Sequence, residues 1–170
     1  MSSTNDFGFS IDLTVRNEWK NVDLLRTSVQ NCFIAVFADL DGCHTIAMVT
    51  GELLENALKY GDWARDKRAM FRLRVEGGSG KILVSVQNPL DPKDPAATNL
   101  VNTIDWIGGF AKPEQAYRAR MLAIAQDDSN MTSSSQLGLV RIAFEGNCRL
   151  AAVIDSGAVT VTATLEMGTT

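Results

Sequence analysis

The chain has 170 residues, 45% of them apolar and 21% charged, so it can bury a core of ordinary size and is neither disordered nor collagen-like. Sixteen basic residues stand against twenty acidic ones, which gives a net charge of −4. A chain-wide nucleic-acid surface needs an excess of Lys and Arg, so we expect no nucleic-acid partner. The length predicts a single domain over residues 1–170.

Neither the N-terminus nor the cysteines point to a membrane or to an oxidising compartment. Residues 1–9 lack the basic start of a signal peptide, and the uncharged run 27–38 is far shorter than the roughly 20 apolar residues that a bilayer span needs. Three cysteines without CxxC spacing and a single histidine do not make a structural zinc site. We expect a cytoplasmic protein without a membrane partner, with reduced and buried thiols.

The spacing of apolar residues predicts ten elements of secondary structure. Alternation every second residue indicates a strand, and recurrence at three and four residues indicates a helix. In chain order the prediction is a strand over 7–15, helices over 18–40 and 43–60, strands over 70–75 and 81–86, helices over 98–107, 113–125 and 137–145, and strands over 149–154 and 159–165. Three prolines in 87–95 predict that this segment is irregular. The order of elements predicts an α+β two-layer sandwich, with a mainly antiparallel sheet covered on one face by helices.

The second predicted helix carries an acid and an amide one turn apart at the margin of its apolar face. These residues are Glu52 and Asn56. A carboxylate at such a boundary can accept a proton or orient a nucleophile, and an amide oxygen is a hard ligand suited to Mg²⁺. From spacing alone, the alternative that both are ordinary boundary residues stays open.

The segment ELLENALKYG, residues 52–61, resembles the N-box helix of the GHKL superfamily, the Bergerat-fold ATPases of histidine kinases, gyrase-type enzymes and bacterial anti-sigma serine kinases. The resemblance implies that Glu52 is the catalytic general base and that Asn56 binds the cofactor and holds the metal. It also implies that ATP and Mg²⁺ are the cofactors and that the chain has the Bergerat fold.

Two further elements of that superfamily are only partly kept. One is a strand ending in D-x-G-x-G, whose Asp binds adenine; here Asn88 takes the place of the Asp, and the glycines are absent. The other is a glycine-rich lid, which SSSQLGLVRI resembles through Gly138 and Leu139, while Gln136 replaces the first glycine. The resemblance implies that these residues, together with Ser135, bind the nucleotide, and that segment 126–135 is a mobile lid.

The size of the chain resembles that of stand-alone anti-sigma kinases, and residues 100–117 and 136–146 resemble the SiaB-type protein kinases of bacterial partner-switching systems. Two functions stay open. The first is a regulatory protein of bacterial signalling that acts on a protein partner, such as an anti-sigma antagonist, with nucleotide binding weak or lost and a homodimer allowed. The second is an active Mg-ATP-dependent serine/threonine protein kinase in which Glu52 activates the acceptor hydroxyl. The Glu52–Asn56 pair favours the kinase, and the absent glycines favour the regulator.

Overall fold

The computed structural model describes residues 8–66, 68–78, 80–126 and 137–167, and these ranges contain five strands and five helices. In chain order the elements are β1 (Phe9–Arg16), α1 (Lys20–Phe37), α2 (Leu40–Tyr60), β2 (Met70–Gly78), β3 (Lys81–Pro89), α3 (Pro95–Gly108), α4 (Pro113–Gln126), α5 (Leu137–Glu145), β4 (Cys148–Asp155) and β5 (Ala158–Glu166). The predicted order of strands and helices is confirmed.

The five strands form one antiparallel sheet in the order β1-β2-β3-β5-β4. Alternate residues of a strand face opposite sides of the sheet. In β2 this places Phe71 and Leu73 on the inner face, where they are fully buried, and Arg72 and Arg74 on the outer face. On that outer face, Arg72 forms a two-pronged ion pair with Asp12 of β1. The fold is therefore the expected two-layer α+β sandwich, with an open polar face opposite the helices.

Helix α2 lies at the centre of the helical layer and supplies much of the core. Its residues Ile46, Val49 and Leu54 are completely buried. The helix begins three residues earlier than expected because the Asp39 side chain caps it, accepting a hydrogen bond of 3.0 Å from the backbone N–H of Gly42. Burial of one long face of α2 against the sheet fixes the direction in which its boundary residues point.

Strand β3 continues further than the sequence suggested, so the expectation of an irregular segment is wrong for residues 87–89. Gln87, Asn88 and Pro89 keep the antiparallel register against β5. A proline is tolerated there because it is the last residue of the strand and lacks only one ladder donor, while its carbonyl accepts a hydrogen bond from the Asp62 N–H. As a result, Asn88 lies on the inner face of the sheet and is only 5% exposed.

The three cysteines are free, and the expectation that they are buried holds for Cys43 and Cys148 but is wrong for Cys32, which is exposed. The described residues hold no cluster of three or more His, Cys, Asp or Glu side chains that could bind a metal ion. No helix in the described ranges is apolar over a length sufficient to cross a bilayer. The predicted lid, apart from its first residue, falls outside the described ranges, as does Ser135.

Candidate functional site

A cavity of about 240 Å³ opens between α2, α3 and the inner face of β3 and β5. Its walls are mostly apolar side chains, among them Leu53, Leu90, Leu139 and Val161. A few polar side chains interrupt these walls: Asn56 and Tyr60 of α2, Asn88 of β3, and Asn99 and Thr103 of α3. A concave, mostly apolar hollow with a few polar groups is the usual form of a small-molecule site.

Asn56 of the cavity wall carries an unsatisfied polar group. Its Nδ2 is buried and has no hydrogen-bond partner among the residues that the structure describes. A buried polar group without a partner costs about 1–3 kcal/mol, so folded proteins keep few of them. Asn56 lines the cavity, whereas this nitrogen lies on the side of Gly138, 3.6 Å from where a Cβ on that residue would stand.

Asn88 lies in the same cavity, with its side chain fixed by its own strand. Its Nδ2 donates a hydrogen bond of 3.2 Å to the carbonyl of Pro89, which directs the opposite, carbonyl side of the amide away from that contact. A carbonyl oxygen accepts hydrogen bonds, such as those an amino group donates. Leu90 follows; its N–H donates a hydrogen bond to the Gly157 carbonyl at 3.0 Å, and its buried side chain lines the cavity.

Glu52 does not line the cavity. Its Oε1 lies 2.6 Å from Nη1 of Arg141 on α5, and its side chain is 18% exposed. Arg141 at the same time binds Glu145 through Nε at 3.3 Å and Nη2 at 3.2 Å. Burial raises the pKa of the Glu52 carboxyl, and the nearby Arg141 guanidinium opposes this rise. Glu52 thus acts here as an ionic link between α2 and α5.

Gly138, the second residue of α5, lies directly against Glu52. A Cβ atom built on Gly138 would be 2.6 Å from Oε2 of Glu52 and 3.6 Å from Nδ2 of Asn56. Only a residue without a side chain allows α5 to approach α2 this closely. The next residue, Leu139, reaches into the cavity.

The structure therefore divides the predicted site residues into two neighbouring groups. Asn56, Asn88 and Leu139 line the cavity, whereas Glu52 and Gly138 lie behind it at the contact between α2 and α5. Glu52 is paired with a guanidinium and lies outside the cavity lining, so it does not face a hydroxyl bound in the cavity, and this arrangement is suited to binding more than to proton transfer.

Sequence reasoning missed the ion pair of Arg141 and the part that α3 plays in the cavity. Arg141 follows Gly138 by three residues, a spacing that places both on one face of a helix. The spacing of these two residues could therefore be seen in the sequence. Its partner Glu52 lies 89 positions earlier, a distance that local patterns do not bridge.

No family model matches the chain, and no curated protein matches it. Solved structures do match its fold. One is a chain in the crystal structure of the SiaB-SiaC complex from Pseudomonas aeruginosa, with a TM-score of 0.68 and 16% sequence identity, over 91% of this chain and 88% of that chain. At this identity the similarity shows a shared fold.

Proposed function

We propose that this chain is a regulatory protein of bacterial signalling that acts on a protein partner and holds a nucleotide weakly in the cavity between α2 and α3. The observation that carries the nucleotide part is a mostly apolar cavity whose walls bring together the side chains of Asn56 and Asn88. The partner part is supported by the fold shared with a chain of a protein–protein complex.

The cavity has the size and polarity for the base of a nucleotide. Its volume of about 240 Å³ lies just below the roughly 300–1,000 Å³ of pockets for drug-sized ligands, so it suits a planar ring more than a whole nucleotide. Apolar walls would cover the faces of the ring, and the Asn88 amide oxygen would accept a hydrogen bond from an exocyclic amino group. The Asn56 amide faces the same space and would supply a single oxygen ligand to Mg²⁺, which keeps most of its coordination for phosphate and water. Bound there, Mg²⁺ would neutralise phosphate charge.

The ion pair between Glu52 and Arg141 supports a binding role over a catalytic one. A general base must reach the hydroxyl whose proton it accepts. Glu52 instead contacts Arg141 at 2.6 Å and lies outside the cavity lining. The large Leu90 side chain, in place of a glycine, further favours weak binding.

The alternative function is an active Mg-ATP-dependent serine/threonine protein kinase. The raised pKa of Glu52 favours this alternative, because a carboxyl with a higher pKa is a stronger base. Glu52 would take up this role only after Arg141 had left it. Arg141 would then be free to pair with the phosphates.

Binding and phosphate-transfer measurements with the purified chain and purified partner proteins distinguish the regulator from the kinase. The chain would be cross-linked in the cells that encode it, the captured proteins identified, and each one purified and titrated against the chain with and without Mg-ATP. The regulator predicts saturable binding and no transfer of labelled phosphate to the partner. The kinase predicts transfer that Glu52→Gln abolishes while binding remains. If no purified candidate binds saturably in either nucleotide state, the proposal of a protein partner is wrong.

A further inference from the structure

Arg120 of α4 differs from the other arginines in the described ranges. Seven of those arginines form ion pairs with carboxylates: Arg16, Arg26, Arg65, Arg72, Arg74, Arg118 and Arg141. Two more, Arg68 and Arg149, are exposed to solvent. Arg120 is partly buried, and no carboxylate of the described residues forms an ion pair with it.

The surroundings of Arg120 stabilise its charge only in part. Its guanidinium carbon lies 4.9 Å from the centroid of the Trp106 ring on α3, a cation–π contact that covers one face of the guanidinium. Within the described ranges no acceptor is bonded to its in-plane N–H groups, and its Nε–H is buried. Burial also lowers the pKa of Arg120. The guanidinium is thus held in place, and the described part of the chain supplies it with no anionic acceptor.

A second cavity, of about 420 Å³, lies beside Arg120 between α3 and α4. Asn99 and Asn102 line it one turn apart on α3, together with Trp106. The Thr103 hydroxyl, also in the wall, already donates a hydrogen bond of 2.7 Å to the backbone carbonyl of Asn99. The remaining polar groups of the lining residues are the two side-chain amides, the indole N–H and the guanidinium, and no acidic residue lies among them. N–H donors without a competing carboxylate are the surroundings that an oxyanion requires.

We propose that this cavity, formed by Asn99, Asn102, Trp106 and Arg120, receives an oxyanion on a side chain of a protein partner, either a carboxylate or a phosphate. Tryptophan and arginine are the residue types that most often dominate the energy of protein interfaces. The existence of a partner rests on the proposed function; the affinity of the cavity for an oxyanion does not.

The location of this cavity would bring a bound partner close to the proposed nucleotide site. Asn99 and Thr103 also line the cavity of about 240 Å³ that holds Asn56 and Asn88. A partner anchored at Arg120 is therefore separated from the proposed nucleotide only by α3. Binding at one cavity then bears on the other through this shared helix.

The test follows the Nε–H signal of Arg120 and the indole N–H signal of Trp106 by nitrogen-15 NMR. The probes are N-acetyl-glutamate amide, N-acetyl-phosphoserine amide and inorganic phosphate. We expect one of the two amino-acid probes to shift both signals saturably while the indole signals of Trp19 and Trp63 stay in place. Arg120→Gln should weaken this binding by about tenfold or more. Arg120→Lys keeps the charge but loses the planar fork, so it should give an intermediate affinity.

Arg118→Gln is the matched control, since Arg118 lies on the same helix but is exposed and paired with Glu114 at 2.6 Å. It should bind the probes as the wild type does. Equal shifts in Arg120→Gln, or equal shifts at all three indoles, would overturn the proposal, as would no saturable shift with any probe. Inorganic phosphate that binds as well as the amino-acid probes would mean an adventitious ion only, and would also overturn it. If Arg120→Gln does not fold, Arg120→Lys carries the comparison. No partner is needed, so this result is independent of the partner experiment above.

Discussion

Replacing Gly138 by alanine tests the close contact between α5 and α2. The new Cβ would lie 2.6 Å from Oε2 of Glu52, which is too close for two non-bonded atoms. The Glu52 carboxylate is the flexible end of its side chain and can rotate away, but doing so takes it from Arg141. We therefore expect Gly138→Ala to break the Glu52–Arg141 ion pair.

The magnitude follows from two opposing terms. Loss of a partly buried, charge-assisted hydrogen bond costs about 1.5–3 kcal/mol. Alanine in place of glycine in a helix gains up to about 1 kcal/mol. The free energy of unfolding should therefore fall by about 1 kcal/mol, which for a domain of this size lowers Tm by about 2–4 °C. In the Glu52→Ala background the clash is absent, so the same substitution should stabilise the protein by up to about 1 kcal/mol.

Urea unfolding of the four proteins of this double-mutant cycle measures the difference. Gly108→Ala is the matched control, because Gly108 is also helical and a Cβ there meets no atom within 4 Å. Gly108→Ala should change the free energy of unfolding slightly and in the same direction in the wild type and in the Glu52→Ala background. If Gly138→Ala has the same effect with and without the Glu52 side chain, the proposed contact does not constrain the helix and the reasoning is wrong.

Three further substitutions or treatments test other parts of the account. Burial raises the pKa of Glu52 above its ordinary 4.5, so the native protein binds that proton more tightly than the unfolded chain does. The free energy of unfolding of the wild type should therefore fall relative to that of Glu52→Gln as the pH rises from about 4 to about 7. Urea unfolding across that range measures this difference, and a rise in the relative stability of the wild type would contradict it. Asn56→Leu removes the unpartnered donor and should raise the free energy of unfolding by about 1 kcal/mol in thermal unfolding, while a lower stability would mean that the amide is satisfied. Iodoacetamide at about pH 8 should label the exposed Cys32 of the native protein but not Cys148, because burial raises the pKa of the Cys148 thiol to about 12. Peptide mapping that finds Cys148 labelled first would refute this.

The sequence allowed the elements to be predicted where local patterning decides them. Helix α5 has the predicted bounds, Leu137–Glu145, because its apolar run is followed directly by Gly146. The prediction for the end of β3 is wrong because a proline locally indicates a break in a strand, whereas pairing with β5 carries this strand up to Pro89. Tertiary pairing decided that boundary, and local preference did not.

The site could be predicted only as far as a single helix determines it. The spacing of Glu52 and Asn56 correctly placed both at the margin of the apolar face of α2. Which of them meets the cavity depends on the elements packed alongside, namely α3 with Asn99 and α5 with Arg141. Those contacts join segments far apart in the chain, and no pattern within either segment encodes them.

Calorimetric titration with Mg-ATP tests most directly whether the cavity between α2 and α3 is a nucleotide site. The account predicts weak, saturable binding to the wild type, with Kd on the order of 0.1–1 mM, and binding by Asn56→Ala that no longer depends on Mg²⁺. Absence of binding at several-fold higher nucleotide concentrations, with and without Mg²⁺, would contradict it and leave only a protein-binding role for the fold.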